Sequence, residues 1–172
     1  PASTIPSNMT LPENISASGM VRGGMDNLNT DLTINSSLGG AKVKGILINI
    51  TDSNRAQYDL SLNARSLQLG TLLQNPKLGL LTGDFKVKGK AYNPAVANAT
   101  FNGVISTVTL NGYNYSNIKA DGSITNKIYK IEANINDPNL VANVSAGGEY
   151  SGKFPGVKLK TTIDSIKTLP LH

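Results

Sequence analysis

From Ile15 to Ile163 the chain alternates apolar and polar residues in short runs separated by turn-forming residues. Period-2 alternation of this kind marks strands with one apolar and one wet face. The clearest run sets Phe85, Val87 and Gly89 against Lys86, Lys88 and Lys90. Before it, Ile15-Ala17-Gly19-Val21, Leu28-Thr30-Leu32-Ile34, Ala41-Val43-Gly45-Leu47 and Tyr58-Leu60-Leu62-Ala64 alternate in the same way. After it come Ala97 to Ile105, Val108-Leu110, Tyr113-Tyr115, Ile118 to Ile124, Tyr129 to Ile135, Leu140-Ala142-Val144 and Val157 to Ile163. Gly23-Gly24, Gly39-Gly40, Asp52-Ser53-Asn54, Asn93-Pro94, Asn126-Lys127, Asp137-Pro138 and Gly147-Gly148 are the expected breaks. Asn111-Gly112 is the sharpest of them, since Asn-Gly supplies the positive φ angles of a type I′ hairpin turn. One stretch departs from the pattern. Leu67, Leu69, Leu72 and Leu73 form an apolar run closed by Asn75-Pro76, which predicts a single short helix near residues 66–74. Residues 1–12 hold three prolines without periodicity and are expected to be a loose lead-in.

Five runs share a template in which glycine stands third in the apolar row: Gly19, Gly45, Gly89, Gly103 and Gly122. Glycine on the apolar side of a strand marks a bulge, a bend or a close backbone approach. Repetition at one relative position predicts an all-β chain with a strongly curved sheet. The spacing between copies is irregular, so no solenoid code is present.

Composition narrows the chemistry. The 172 residues fit one domain with a sizeable core. Aromatic residues are 5% and charged residues 16%, with Asn, Ser, Thr and Gly in their place, a balance that favours strands and turns. The formal charge of +5 and pI near 9.4 come largely from lysines that alternate with apolar residues, the usual solvated face of a strand. There is no cysteine, so neither disulfides nor thiol chemistry enters. No apolar run approaches the roughly 20 residues of a membrane helix.

Enzyme signatures are absent. The one histidine is His172, which removes histidine-based triads and most zinc sites. Acidic residues are scattered over turns, and neither a P-loop nor a dinucleotide fingerprint occurs. Gly23-Gly24-Met25-Asp26 matches a fragment of a calcium β-roll without the repeat such a site needs. Neither metal, cofactor nor catalytic residue is expected. Asn14-Ile15-Ser16, Asn98-Ala99-Thr100 and Asn143-Val144-Ser145 fit the glycosylation sequon, as chance allows in so Asn-rich a chain. Basic residues are spread over several strands without an aromatic cluster, so nucleic acid is not expected as a partner. What remains is the apolar row itself. It admits two readings: the sealed core of a sandwich or barrel, or the wall of an open groove that takes a flexible hydrocarbon chain.

LQLGTLLQNPKLGLLTGDFKVKGK, followed by NPAVANATFNGVIS and YNYSNIKADGSI, resembles the repeats of the TamB family of AsmA-like envelope proteins over about residues 60–140. The motifs are a leucine-rich LxLGxLL insert, an LxGxFxVxGK strand and an xFNGxI strand. The resemblance implies a β-taco, a long sheet folded lengthwise into a U with an apolar interior. Residues 1–172 would then be a single segment cut from a longer protein of the Gram-negative periplasm, anchored in the inner membrane outside this chain. Family members are implicated in phospholipid transport to the outer membrane and in assembly of outer-membrane proteins. Acyl chains of phospholipids are thus the expected partners, and an outer-membrane β-barrel a further one for the full-length protein. The expected groove lining is Leu32, Leu60, Leu62, Phe85, Val87, Phe101, Ile105, Ile124, Ile131 and Ile135. The rival expectations are a chaperone-like module that binds strands at a sheet edge and a purely structural β-domain.

Overall fold

A computed structural model describes residues 10–24, 26–93, 95–149 and 156–167. Residues 1–9 of the lead-in, Met25, Pro94 and His172 lie outside them. The alternating runs become ten strands: β1 (Ile15–Gly24), β2 (Asn27–Ser36), β3 (Gly39–Ile48), β4 (Gln57–Gln68), β5 (Leu78–Lys90), β6 (Asn98–Leu110), β7 (Tyr113–Thr125), β8 (Ile128–Asp137), β9 (Leu140–Glu149) and β10 (Gly156–Ile166). They form one antiparallel sheet in sequence order, each strand pairing with the next. The sheet is not closed into a barrel; β1 and β10 are its two edges.

Tight turns set this order. At Asn111-Gly112 φ is +50° and +84°, and at Asn126-Lys127 it is +49° and +69°, the left-handed pair a type I′ turn requires. Longer connections hold each other. The turn after β3 is organised by Asp52, whose carboxylate accepts from the Asn54 and Arg55 amides and from the Arg55 side chain at 2.6 Å. That Arg55 contact, with the two amides, holds the Asp52 carboxyl below its usual range. This turn docks on the β5–β6 connection: Ala91 donates its amide to Ala56, Tyr92 and Asn93 donate theirs to Ser53, and both alanines are buried.

Two expectations need correction. The helix near residues 66–74 is a single turn, α1 (Leu69–Leu72), because Leu67 and Gln68 pair with Leu81 and Leu80 as the end of β4. A four-residue apolar run buries too little alone to extend beyond one turn. Gly147-Gly148 does not break its strand; β9 runs through both to Glu149, with Gly148 paired to Tyr129 and Val157. Strand irregularities lie elsewhere. Pairing shifts register between Ala64 and Leu67 in β4 and across Ser106 in β6, and Asn117 in β7 stands out of the ladder at the same level. Ser66 and Asn117 take positive φ there, +47° and +52°. The shifts at Ser66 and Ser106 lie at one level of the sheet.

At the α1 end of the sheet a carboxylate latch joins β7, β8 and the β8–β9 turn. Asp137 is 3% exposed and accepts from the Tyr113 hydroxyl at 2.7 Å, from the Ser116 amide and hydroxyl at 2.9 Å each, and from the Asn139 amide at 2.9 Å. Burial alone would raise its pKa, but these donors together outweigh desolvation and hold it below the ordinary carboxylate value. The polar face is laced by lighter contacts. Lys88 meets Asp59 at 2.8 Å across the β4–β5 pair, and Lys42 and Lys44 flank Asp31 at 3.6 and 3.5 Å.

Two outcomes follow from this arrangement. Replacing Lys86, Lys88, Lys158 or Lys160 with Gln will leave the thermal midpoint within about 2 °C, since each stands on the solvated face; a large drop at Lys88 would show the faces to be reversed. Asp137→Asn will cost about 2 kcal/mol in urea unfolding at pH 7, the scale of hydrogen bonds to a charged acceptor. Because the folded pKa of Asp137 is depressed, its stabilisation is present above the unfolded value near 4 and fades as pH falls through the folded one. The wild type will therefore lose its advantage over the variant in acid.

Candidate functional site: an uncharged apolar face

Register brings the apolar positions together. Across the ten strands one ladder runs Val21, Thr30, Gly45, Leu60, Val87, Phe101, Gly122, Ile131, Ala146, Leu159. The next, two residues along each strand, runs Gly19, Leu32, Val43, Leu62, Phe85, Gly103, Ala120, Ala133, Val144, Thr161. A third passes through Ile34, Ala64, Ile105, Ile118 and Ile135, and a fourth through Leu28, Tyr58, Ile124 and Tyr129. All ten lining residues expected from the sequence, from Leu32 to Ile135, thus share one face.

The four rows contain no charged residue. Their polar members are Thr30, Thr161 and two tyrosines. Tyr58 and Tyr129, both in the fourth row, send their hydroxyls to the carbonyls of Ala91 at 3.2 Å and Gly156 at 3.0 Å. Burial raises the Tyr58 pKa, so this phenol stays neutral. At about 4.8 Å between strands and about 3.4 Å per residue, the band extends about 43 Å along the sheet and about 20 Å along the strands.

The face is only partly covered. Among the described residues no large side chain is fully buried; Phe85 and Ile118 are each 9% exposed, whereas Ile131 is 49% exposed. Burial is greatest on the central strands and vanishes at β1 and β10, which are exposed throughout. A sealed sandwich or barrel core is therefore not what these residues form. Nor is the face an enclosed pocket. The best-formed depressions sit on the other side of the sheet, one of about 500 Å³ between Lys42, Lys44, Lys86, Lys119, Asp84 and Asp121. Its four lysines outnumber its two aspartates.

The glycines of the apolar rows have a role that spacing alone did not disclose. Phe85 lies opposite Gly103, Phe101 opposite Gly122, Tyr58 opposite Gly89 and Tyr129 opposite Gly148. At Gly103 an added methyl would meet Phe101 Cζ and Phe85 Cδ1 at 2.9 Å each. The two rings stack there, with centroids 5.9 Å apart and planes at 21°. Glycine leaves the pleat bare so that an aromatic ring from the next strand can lie over it. Gly19 and Gly45 serve differently: with φ of +134° and +149°, they take a backbone conformation that disfavours a side chain and lie against the carbonyls of Asp31 and Asp59.

The Asp137 latch and the line of bulges were missed by sequence reasoning. Asp137 read only as a turn residue, and Ser66, Ser106 and Asn117 carry no local signal that a ladder slips beside them. Among the described residues no three metal-ligating side chains cluster, and no helix is long and apolar enough to cross a membrane. Comparison with known protein families, curated proteins and solved structures finds no match.

The ring seat at Gly103 is testable. Gly103→Ala will destabilise the fold by about 1–3 kcal/mol, because the added methyl overpacks the Phe85–Phe101 stack. In a Gly103→Ala/Phe85→Leu double variant the two costs will be less than additive, measured by urea unfolding. Full additivity would show that the ring and the glycine do not share the space.

Proposed function

We propose that the apolar face binds the acyl chains of phospholipids, and that this chain is a segment of a TamB-like, periplasm-spanning protein supporting outer-membrane biogenesis. The observation that carries the reading is the uncharged band itself: four mostly apolar rows across ten strands, without a charged residue and only partly covered. Contiguous exposed apolar surface on this scale marks an interaction site rather than ordinary surface. A hydrocarbon chain suits it because apolar burial is non-directional and worth about 0.8 kcal/mol per methylene. An extended acyl chain of sixteen carbons is about as long as the band is deep, and several would lie side by side along it. Lengthwise folding of the sheet into a U would shelter those chains while headgroups stay near water and the lysines. The action is passive, without catalytic residue or cofactor.

Support also comes from the motif resemblance over residues 60–140, which includes Phe85, Val87 and Phe101. In this reading the protein lies in the periplasm of a Gram-negative bacterium, held by an inner-membrane anchor, and meets an outer-membrane β-barrel through other parts of the full-length protein.

Photo-crosslinking from Phe101 and Ile131, beside the same probe at Lys88, tests the reading in cells. Lipid adducts are expected at the first two positions and not at the third. Ile131→Asp will remain folded in thermal melts, since its side chain reaches solvent, yet will lose lipid capture because a charge there demands water that the acyl chain excludes. If no lipid is captured and the Asp variants at both Phe101 and Ile131 unfold, the face is a packing surface and the lipid reading is wrong.

A further inference from the structure

We propose that Lys127 is a headgroup-binding residue: its ammonium takes the phosphate of a phospholipid whose acyl chains lie on the apolar face. This rests on the lipid reading and deepens it by assigning the headgroup to one hairpin. Behind it stands a backbone conformation that the turn does not need from a lysine. The β6–β7 and β7–β8 hairpins use the same two-residue turn, with φ of +50° and +84° at Asn111-Gly112 and of +49° and +69° at Asn126-Lys127. Glycine fills the second position of the first turn at no steric cost. In the second turn that position is lysine, whose Cβ crowds the backbone at positive φ, so the hairpin gives up stability there.

The other non-glycine residues at positive φ each have a local reason. Asn49, Asn111, Asn117 and Asn126 are of the residue type that best tolerates it. Ser66 lies at the register shift of β4, Ala91 is buried where the two long connections dock, and Gln74 donates its side-chain amide to Thr10. Lys127 is exposed, and among the described residues it takes part in no ion pair. Strained positions of this kind cluster at ligand contacts, where the side chain is worth its conformational cost.

The position suits a headgroup. Ile124 and Tyr129 form the fourth-row pair of β7 and β8, three residues before Lys127 and two after it. A flexible four-carbon stem lets the ammonium meet an anion at that border of the apolar face. Thr125 and Asn126 add hydroxyl and amide donors beside it. Glu149, opposite Ile128, belongs to the polar face. Acyl chains held here would run along β7 and β8 from Ile124 and Tyr129 toward Ile118 and Ile135. Lys77 stands at the opposite strand ends, where its carbonyl accepts from the Asn111 amide at 2.8 Å, and it takes no positive φ. It is the matched control.

One substitution separates strain from binding. Lys127→Gly relieves the backbone and removes the cation, so its thermal midpoint will rise by about 2–4 °C while capture of phosphatidylglycerol falls about fivefold to tenfold. Capture is measured with dipalmitoyl phosphatidylglycerol and with dipalmitoylglycerol, which has the same chains without the phosphate, each delivered from cyclodextrin. Both proteins will capture the diacylglycerol equally. Lys127→Arg will retain phosphatidylglycerol, and Lys77→Gln will behave as the wild type. Inorganic phosphate alone will not bind; saturable phosphate binding that is lost in Lys127→Gly would make this a free-anion site and overturn the assignment. So would a Lys127→Gly variant that melts below the wild type. A wild type that captures neither lipid removes the lipid reading and this inference with it, whereas undiminished capture of both lipids by Lys127→Gly strikes the headgroup assignment alone.

Discussion

Everything distinctive about this molecule depends on antiparallel register. Side chains alternate between the faces of a strand, so a slip of one residue in any ladder would carry that strand's apolar set to the opposite side. Here successive ladders oppose uncharged residues on this face, with Thr30 and Thr161 the threonines among them, from Ile15–Gly24 to Gly156–Ile166. Short turns in left-handed conformations at Asn111-Gly112 and Asn126-Lys127 leave little freedom to slip. The long β5–β6 connection gains the same certainty by docking Ala91 against Ala56. The outcome is a sheet with one uncharged face and one hydrogen-bonded polar face.

A single open sheet cannot bury its apolar side in the way a sandwich does. The molecule offsets this locally. The central strands cover themselves by laying Phe85 and Phe101 over Gly103 and Gly122, which removes ring surface from water without a second layer. Register shifts at Ser66 in β4 and Ser106 in β6 lie at one level, beside α1 and the Asp137 latch. Coverage falls away toward β1 and β10, the outermost strands among the described residues. A partly covered, uncharged face is the state expected of a surface that receives something apolar, and this is why lipid binding fits it better than a purely structural role.

The polar face plays the complementary part. Lys88 with Asp59, Lys42 and Lys44 with Asp31, Asn63 with Asp84 and Asn134 with Asn143 are all cross-strand neighbours. Each such contact is weak in water, but together they reinforce the register chosen on the other side, against the one like-charge pair among the described residues, Asp121–Glu132.

Much of this was legible in the residues. Period-2 alternation from Ile15 to Ile163 determined that the chain is all-β, which residues share a face within each strand, and that Asn111-Gly112 is a hairpin turn, because side-chain direction and turn conformation are local properties. That the ten residues from Leu32 to Ile135 share one face was legible for the same reason. What tertiary structure alone decided was everything that depends on which residue stands opposite which. The pairing of Phe85 with Gly103, the bulge line through Asn117, the capture of Asp137 by Tyr113 and Ser116, and the shortening of the helix to Leu69–Leu72 belong to this class. The continuation of β9 through Gly147-Gly148 does too. Glycine pairs read as breaks when only local propensity is weighed, but Tyr129 on one side and Val157 on the other hold Gly148 in the ladder. Cross-strand hydrogen bonds and packing override a local preference worth less than about 1 kcal/mol per residue.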